Sequence, residues 1–205
     1  GLGSAGEWAV VPVVGLAGGL LGGAFARAVA ESAGVVRRWS ARHPYRIGGG
    51  LGLALAALAL ASDGTTQGGG YLHARQILVA GADLPLAYPF TKAVATFLSL
   101  VSAIPGGLFD PSLSVGAGLG QLAWPLASHV DRQAFVLLAM AAYFAGVVQS
   151  PITAAVILVE MTDANDMLLP LLAASVLAYT ASRRLCRPSL YEALSLAFLP
   201  EKPRV

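Results

Sequence analysis

Charge is segregated along this chain to a degree that few folds allow. Residues 8–26, 47–62, 93–109, 111–130, 133–159 and 167–182 contain no Asp, Glu, Lys or Arg. A helix that crosses a bilayer needs roughly 20 apolar residues, within a range of about 17–25. Several of these runs reach that length and several fall short. Only 12% of the 205 residues are charged, against about 25% in an ordinary soluble domain. A soluble Ala/Leu-rich bundle of this size would lack the polar surface to cover itself. The runs instead describe an all-α, polytopic membrane protein, a single membrane domain over 1–205. Its short and Gly/Pro-interrupted segments indicate tilted or broken helices.

The charges that remain set a topology. Arg27, Arg37, Arg38, Arg42 and Arg46 crowd one region, expected to be a loop, and Arg183, Arg184, Arg187, Lys202 and Arg204 crowd the C-terminus. Both are expected on the cytoplasmic side. The acidic turn Asp163–Asp166 belongs on the other face, one crossing away. The basic clusters flank apolar spans, so topology explains them and no nucleic-acid partner is expected. Cys186 is the single cysteine, which rules out an internal disulfide. The first apolar run lacks the basic leader of a signal peptide. The chain is expected to be the later part of a longer protein.

Apolar runs and prolines predict helices at about 8–30, 48–62, 70–82, 86–103, 107–128, 133–148, 151–163, 166–184 and 188–199. Pro85, Pro105, Pro111, Pro151, Pro170 and Pro188 fall near helix starts, where a missing N–H is tolerated. The first helix contains VVGLAGGLLGGAFA. Gly15 and Gly19, Gly18 and Gly22, and Gly19 and Gly23 each stand four apart, a face that lets helices approach closely in lipid. That face serves either packing within one subunit or an oligomer seam. Gly116 and Gly120 form a second pair, expected to serve internal packing.

Three stretches could carry chemistry. In IPGGLFDP, residues 104–111, a helix starting near Leu108 leaves its first N–H groups without intrahelical partners. At membrane depth such groups must meet protein, water or a ligand. Their partial positive charge makes an anion site, and Gly106 and Gly107 let an anion approach the backbone. The alternative is a simple turn at the membrane surface. In SPITAAVILVEMTD, Pro151 divides a long apolar run and Glu160 sits near the end of the second helix. An intramembrane carboxylate is a functional candidate, but Asp163 and Asp166 place Glu160 near water. Lys92 is expected to snorkel to an interface. In RPSLY, Tyr191 opens the last helix, either as an interfacial anchor or as a hydrogen-bond donor to an anion.

Taken in order, PGGLFDPSLSVGAGLG, SPITAAVILVEMTD with LLPLLAASVLAYTAS, and RPSLY resemble the second half of the membrane domain of CLC chloride channels and transporters, over about residues 8–199. The resemblance implies that the backbone N–H groups of Leu108 and Phe109 bind a central chloride or similar anion, that Gly107 gives access, and that Tyr191 donates its hydroxyl from the cytoplasmic side. Gly106 and Asp110 would modulate the site. Family members are homodimers in the lipid bilayer, with helices matching about 8–30, 151–163 and 166–184 at the dimer surface. Gly15, Gly19, Gly23 and Glu160 are then candidates for that interface.

Two departures stand out. Asp110 occupies a position often apolar in the family, and is expected to point away from the anion and to cap backbone N–H groups. The family's first half supplies a serine-bearing helix start and a gating glutamate, and neither GSGIP-like nor GREGP-like sequence occurs here. The chain thus resembles half of an inverted-repeat architecture that needs an N-terminal half for a complete pore. The expected function is chloride transport, as a channel or a chloride/proton antiporter, in a bacterial plasma membrane with the C-terminus cytoplasmic. The competing readings are a cation- or proton-coupled carrier using Asp110 and Glu160, and a non-transporting fragment that packs with a partner half. No cofactor or metal is implied. His43, His73 and His129 lack metal-ligand spacing, and no GxSxG elbow is present, so an enzyme is not expected.

Overall fold

The structure, a computed structural model, describes residues 2–102, 106–187 and 189–198. Ile104, Pro105, Pro188, Lys202 and Arg204 lie outside the described residues. All regular structure within them is helical. A capped turn α1 (Ala5–Trp8) leads into the long α2 (Val10–Arg42), followed by α3 (Pro44–Ala61), α4 (Tyr71–Leu78), α5 (Tyr88–Val101) and α6 (Phe109–Ala123). A 3₁₀ turn, Trp124–Ala127, precedes α7 (Arg132–Val148), α8 (Pro151–Thr162), α9 (Leu168–Leu185) and α10 (Leu190–Phe198). The order is that expected from the apolar runs. Among the described residues two helical stretches, Ala5–Arg42 and Pro44–Ala61, are long and apolar enough to cross a membrane. Helix α9 equals α3 in length at 18 residues but carries Arg183 and Arg184 in its last turn; the remaining helices are shorter, the broken pattern that the interrupted runs imply.

Both boundaries of the first basic region were misjudged: α3 starts at Pro44 rather than near 48, so Arg46 is helical too. The basic region from Arg27 to Arg42 is helix rather than loop, because α2 runs on to Arg42. Arg and Ala are strong helix formers, and Arg27 pairs with Glu31 one turn on at 2.7 Å. Nothing breaks the helix until Pro44. His43, which precedes that proline, leaves the helical region with φ −139° and ψ 63°.

The core is built where α2 packs against α7 and α9. Gly15, Gly19 and Gly23 face Ala174, Ala178 and Ser182 of α9. A Cβ on Gly19 would stand 2.3 Å from the Ala178 carbonyl oxygen. Gly18 and Gly22 face Ala142 and Tyr143 of α7, and Gly146 of α7 answers with its own backbone against Gly19. This corrects the interface assignment for Gly15, Gly19 and Gly23: their face is filled by α9 of the same chain. The reason lies in α9, whose Ala174, Ala178 and Ser182 repeat the same four-residue spacing of small side chains. Gly116 and Gly120 of α6 likewise meet Met140 and Val136 of α7, as expected. These contacts seat α6 on α7, which fixes the position of its N-terminus.

Candidate functional site

Helix α6 begins in an apolar bed. Leu108 is its N-cap and is only 2% exposed. The Phe109 ring stands edge-on to Phe144 of α7, with centroids 4.8 Å apart and planes at 71°. Leu108 carbonyl oxygen accepts from the Ser112 N–H at 3.1 Å and the Ser112 hydroxyl at 2.7 Å. These contacts pin the side chains and the carbonyl and leave the donors alone. No side chain among the described residues caps α6, and Pro111 has no N–H to offer. Gly106 and Gly107 are exposed, and a Cβ on Gly107 would meet nothing within 4 Å. They front a cavity of about 720 Å³, shared with Phe109, Asp110, Lys92 and Thr96.

The far wall of this cavity is held by Lys92. Its ammonium donates to the carbonyls of Thr66 at 2.9 Å, Gln67 at 3.4 Å and Gly68 at 2.7 Å, in the loop between α3 and α4. Lys92 is 1% exposed, so it does not snorkel as the sequence suggested. The loop offers three carbonyls to a charge that would otherwise be stranded in an apolar setting. The same loop is tied to α6 through Ser114, whose hydroxyl donates to the Gly70 carbonyl at 3.1 Å and also contacts the Tyr88 hydroxyl. Gly70, at φ 92°, has no room for a side chain between Ser114 and Lys92.

Asp110 departs from expectation. It does not cap α6. Its carboxylate is exposed, packs against Gly69, and lines the cavity that Gly106 and Gly107 front, together with a second cavity of about 390 Å³ that includes Arg75 and Gln133. Gly69 lies close to its Cβ and one carboxylate oxygen, on the cavity side of the helix start.

Tyr191 is 53% exposed and makes no hydrogen bond among the described residues. Its neighbour Leu190 is fully buried in one apolar cluster with Leu108, Val115, Tyr143, Val147 and Cys186. The starts of α6 and α10 therefore share a core, although Tyr191 does not line the cavity at Gly107. Unlike α6, α10 has its own cap: the Glu192 N–H donates to Ser189 Oγ at 3.3 Å. That capping pattern, Ser189 followed three residues later by Glu192, was readable in the sequence and was missed. Glu160 is exposed in the last turn of α8 and lines neither cavity that Asp110 lines. The Lys92 clamp could not be read, because its acceptors are backbone carbonyls some 25 residues away.

The family model described as voltage gated chloride channel matches residues 2–183. The chain is 32% identical over 148 residues to the H(+)/Cl(-) exchange transporter ClcA of Klebsiella pneumoniae, covering 68% of this chain and 30% of that protein. It is 30% identical over 148 residues to the ClcA exchanger of Salmonella typhi, with the same shares covered. Among solved structures, a CLC-type fluoride/proton antiporter matches the fold with a TM-score of 0.80 at 22% identity, over 94% of this chain and 47% of that one. A eukaryotic CLC transporter matches with a TM-score of 0.76 at 25% identity, over 96% of this chain and 36% of that one. The chain thus spans less than half the length of each of these relatives.

Proposed function

We propose, from the fact that the chain belongs to the voltage-gated chloride channel family, that it supplies one half of a pathway for chloride across a bacterial plasma membrane. The family's proteins are integral to the membrane, and the relatives above are transporters rather than enzymes. The observation that carries the proposal is the start of α6. Among the described residues no side chain caps its donors, Gly107 stands open, and Gly106, Gly107 and Phe109 line a cavity. In this reading the N–H groups of Leu108 and Phe109 hold the anion, with the α6 dipole behind them. Tyr191 donates its hydroxyl from the cytoplasmic side. Neutral donors bind chloride firmly enough to admit it and loosely enough to release it. A partner half closes the other side of the cavity. A second copy of the protein packs on the exposed apolar side chains of α8 and α9, among them Ile152, Val156, Leu169 and Val176, with Glu160 at the end of that face and the C-terminus cytoplasmic.

A cation carrier built on Asp110 and Glu160 fits less well, since the two carboxylates share neither cavity that Asp110 lines. The deciding experiment uses the full-length protein that carries this sequence, reconstituted in liposomes. Reversal potentials are expected to report anion selectivity, and Tyr191→Phe is expected to weaken chloride binding by about 10-fold or more by calorimetry, the loss of one hydrogen bond to an ion. Cation-selective current would refute the reading. Chloride affinity unchanged in both Tyr191→Phe and Gly107→Val would remove the site.

A further inference from the structure

Gln149 stands at a place that glycine usually fills. It is the C-cap of α7, in the left-handed region with φ 59° and ψ 36°. A side chain there is strained, and the sequence keeps a long amide at the position. Its work is visible in its contacts. The Gln149 amide nitrogen donates to the Cys186 carbonyl at 2.6 Å and to Ser182 Oγ at 3.3 Å. Ser182 Oγ in turn donates to the Gly146 carbonyl at 2.5 Å, on the last turn of α7. Gly23 of α2 closes over Ser182 from the other side. The ends of α7 and α9 are thus clamped by a partly buried polar relay at the point where the chain turns into α10.

Cys186 is the last residue held by the clamp, in extended conformation with φ −135° and ψ 109°. Only residues 187–190 separate it from Tyr191. Leu190 then drops into the cluster that also holds Leu108 and Cys186. The direction in which the chain leaves Cys186 determines where α10 starts, and so where the Tyr191 hydroxyl stands relative to the start of α6.

We propose that Gln149 is a positioning residue: by gripping the Cys186 carbonyl it sets the start of α10, and with it where the Tyr191 hydroxyl stands relative to the start of α6. The proposal rests on the chloride reading above for the role of Tyr191. The grip itself rests on the contacts alone. Glutamine is suited to the task because its neutral amide donates to both the Ser182 hydroxyl and the Cys186 carbonyl.

The test uses the full-length protein with 3-fluorotyrosine at position 191, followed by fluorine NMR, together with chloride calorimetry and thermal unfolding. Gln149→Gly suits the left-handed backbone and removes the grip. Gln149→Glu keeps the shape and removes the N–H donor. Both are expected to shift or broaden the fluorine resonance. Gln149→Gly is expected to keep the unfolding midpoint within a few degrees and to weaken chloride binding about 3- to 10-fold. Adding it to Tyr191→Phe is expected to weaken binding no further, because both changes remove one interaction. A resonance unmoved in both variants overturns the proposal. Chloride effects that add in the double variant overturn the route through Tyr191. If Tyr191→Phe alone leaves chloride binding intact, the functional reading of Tyr191 fails, while the fluorine resonance still decides whether Gln149 sets the position of α10.

Discussion

At Gly19 a Cβ would stand 2.3 Å from the Ala178 backbone, and at Gly107 it would meet nothing within 4 Å. The seam of α2 with α7 and α9 and the start of α6 use the same residue for opposite ends. In the seam, missing side chains let backbones touch, and the gain is dispersion between helices that lipid does not drive together. At α6 the missing side chain leaves the backbone uncovered on a cavity. The first region is closed against its own chain. The second is held by Leu108 and Phe109 from behind and is open in front. Glycine spacing alone does not separate these uses, since both look like runs of small residues in an apolar segment. What separates them is whether a neighbour arrives.

The largest effect should come from filling the closed region. Gly19→Leu would drive a side chain into the α9 backbone, which cannot swing aside as a rotamer can. Destabilisation of about 3 kcal/mol or more is expected, read as a lowered unfolding midpoint or aggregation on size exclusion in detergent. A variant with wild-type stability would show that α2 and α9 are not packed in backbone contact. Next is the wall that keeps the open region open. Lys92→Met would strand the carbonyls of Thr66, Gln67 and Gly68. Water from the cavity can rehydrate them in part, so a loss of about 2 kcal/mol is expected, with the α3–α4 loop becoming protease-sensitive. Intact loop protection in Lys92→Met would show that the loop stands without the clamp.

Filling the open region should do the reverse of filling the seam. Gly107→Ala has no neighbour to strike, so stability should stay within about 0.5 kcal/mol. The added methyl stands where an anion would approach the Phe109 N–H. Chloride affinity is expected to fall roughly 10-fold, equivalent to about 1.4 kcal/mol. A stable variant with unchanged affinity would break the comparison, because Gly107 would then be open without being used.

How far these regions were legible depends on the range of the interaction. Helix order was written in the apolar runs. The start of α3 at Pro44 lies four residues before the one expected near 48, whereas the start at Pro151 was readable because proline's missing N–H is tolerated there. The α6 start was written in PGGLFDP for the same reason. The partner of the glycine seam was not recognised, although Ala174, Ala178 and Ser182 repeat its spacing, because nothing local says which two helices meet. Lys92 and Gln149 were opaque for a different reason. Each acts on backbone carbonyls in a distant loop or helix end, and carbonyls are identical at every position, so no residue type marks the acceptor.

Asp110 gives the smallest effect and the finest test of the open region. Read from sequence, it was expected to turn away and cap α6, which would leave chloride binding untouched on removal of its charge. In the structure it lines the cavity beside Gly106 and Gly107. A carboxylate at a separation on the order of 6 Å from an anion, across water, repels it by about 0.7 kcal/mol. Asp110→Asn is therefore expected to raise chloride affinity roughly 3-fold, measured at constant ionic strength because screening acts over about this range. The same change removes a negative charge from the first turn of α6, where it favours the helix dipole by about 0.3–1 kcal/mol. Stability should fall slightly as affinity rises. That opposition of signs is what a carboxylate facing the cavity produces, and a side chain turned away would produce only the loss of stability.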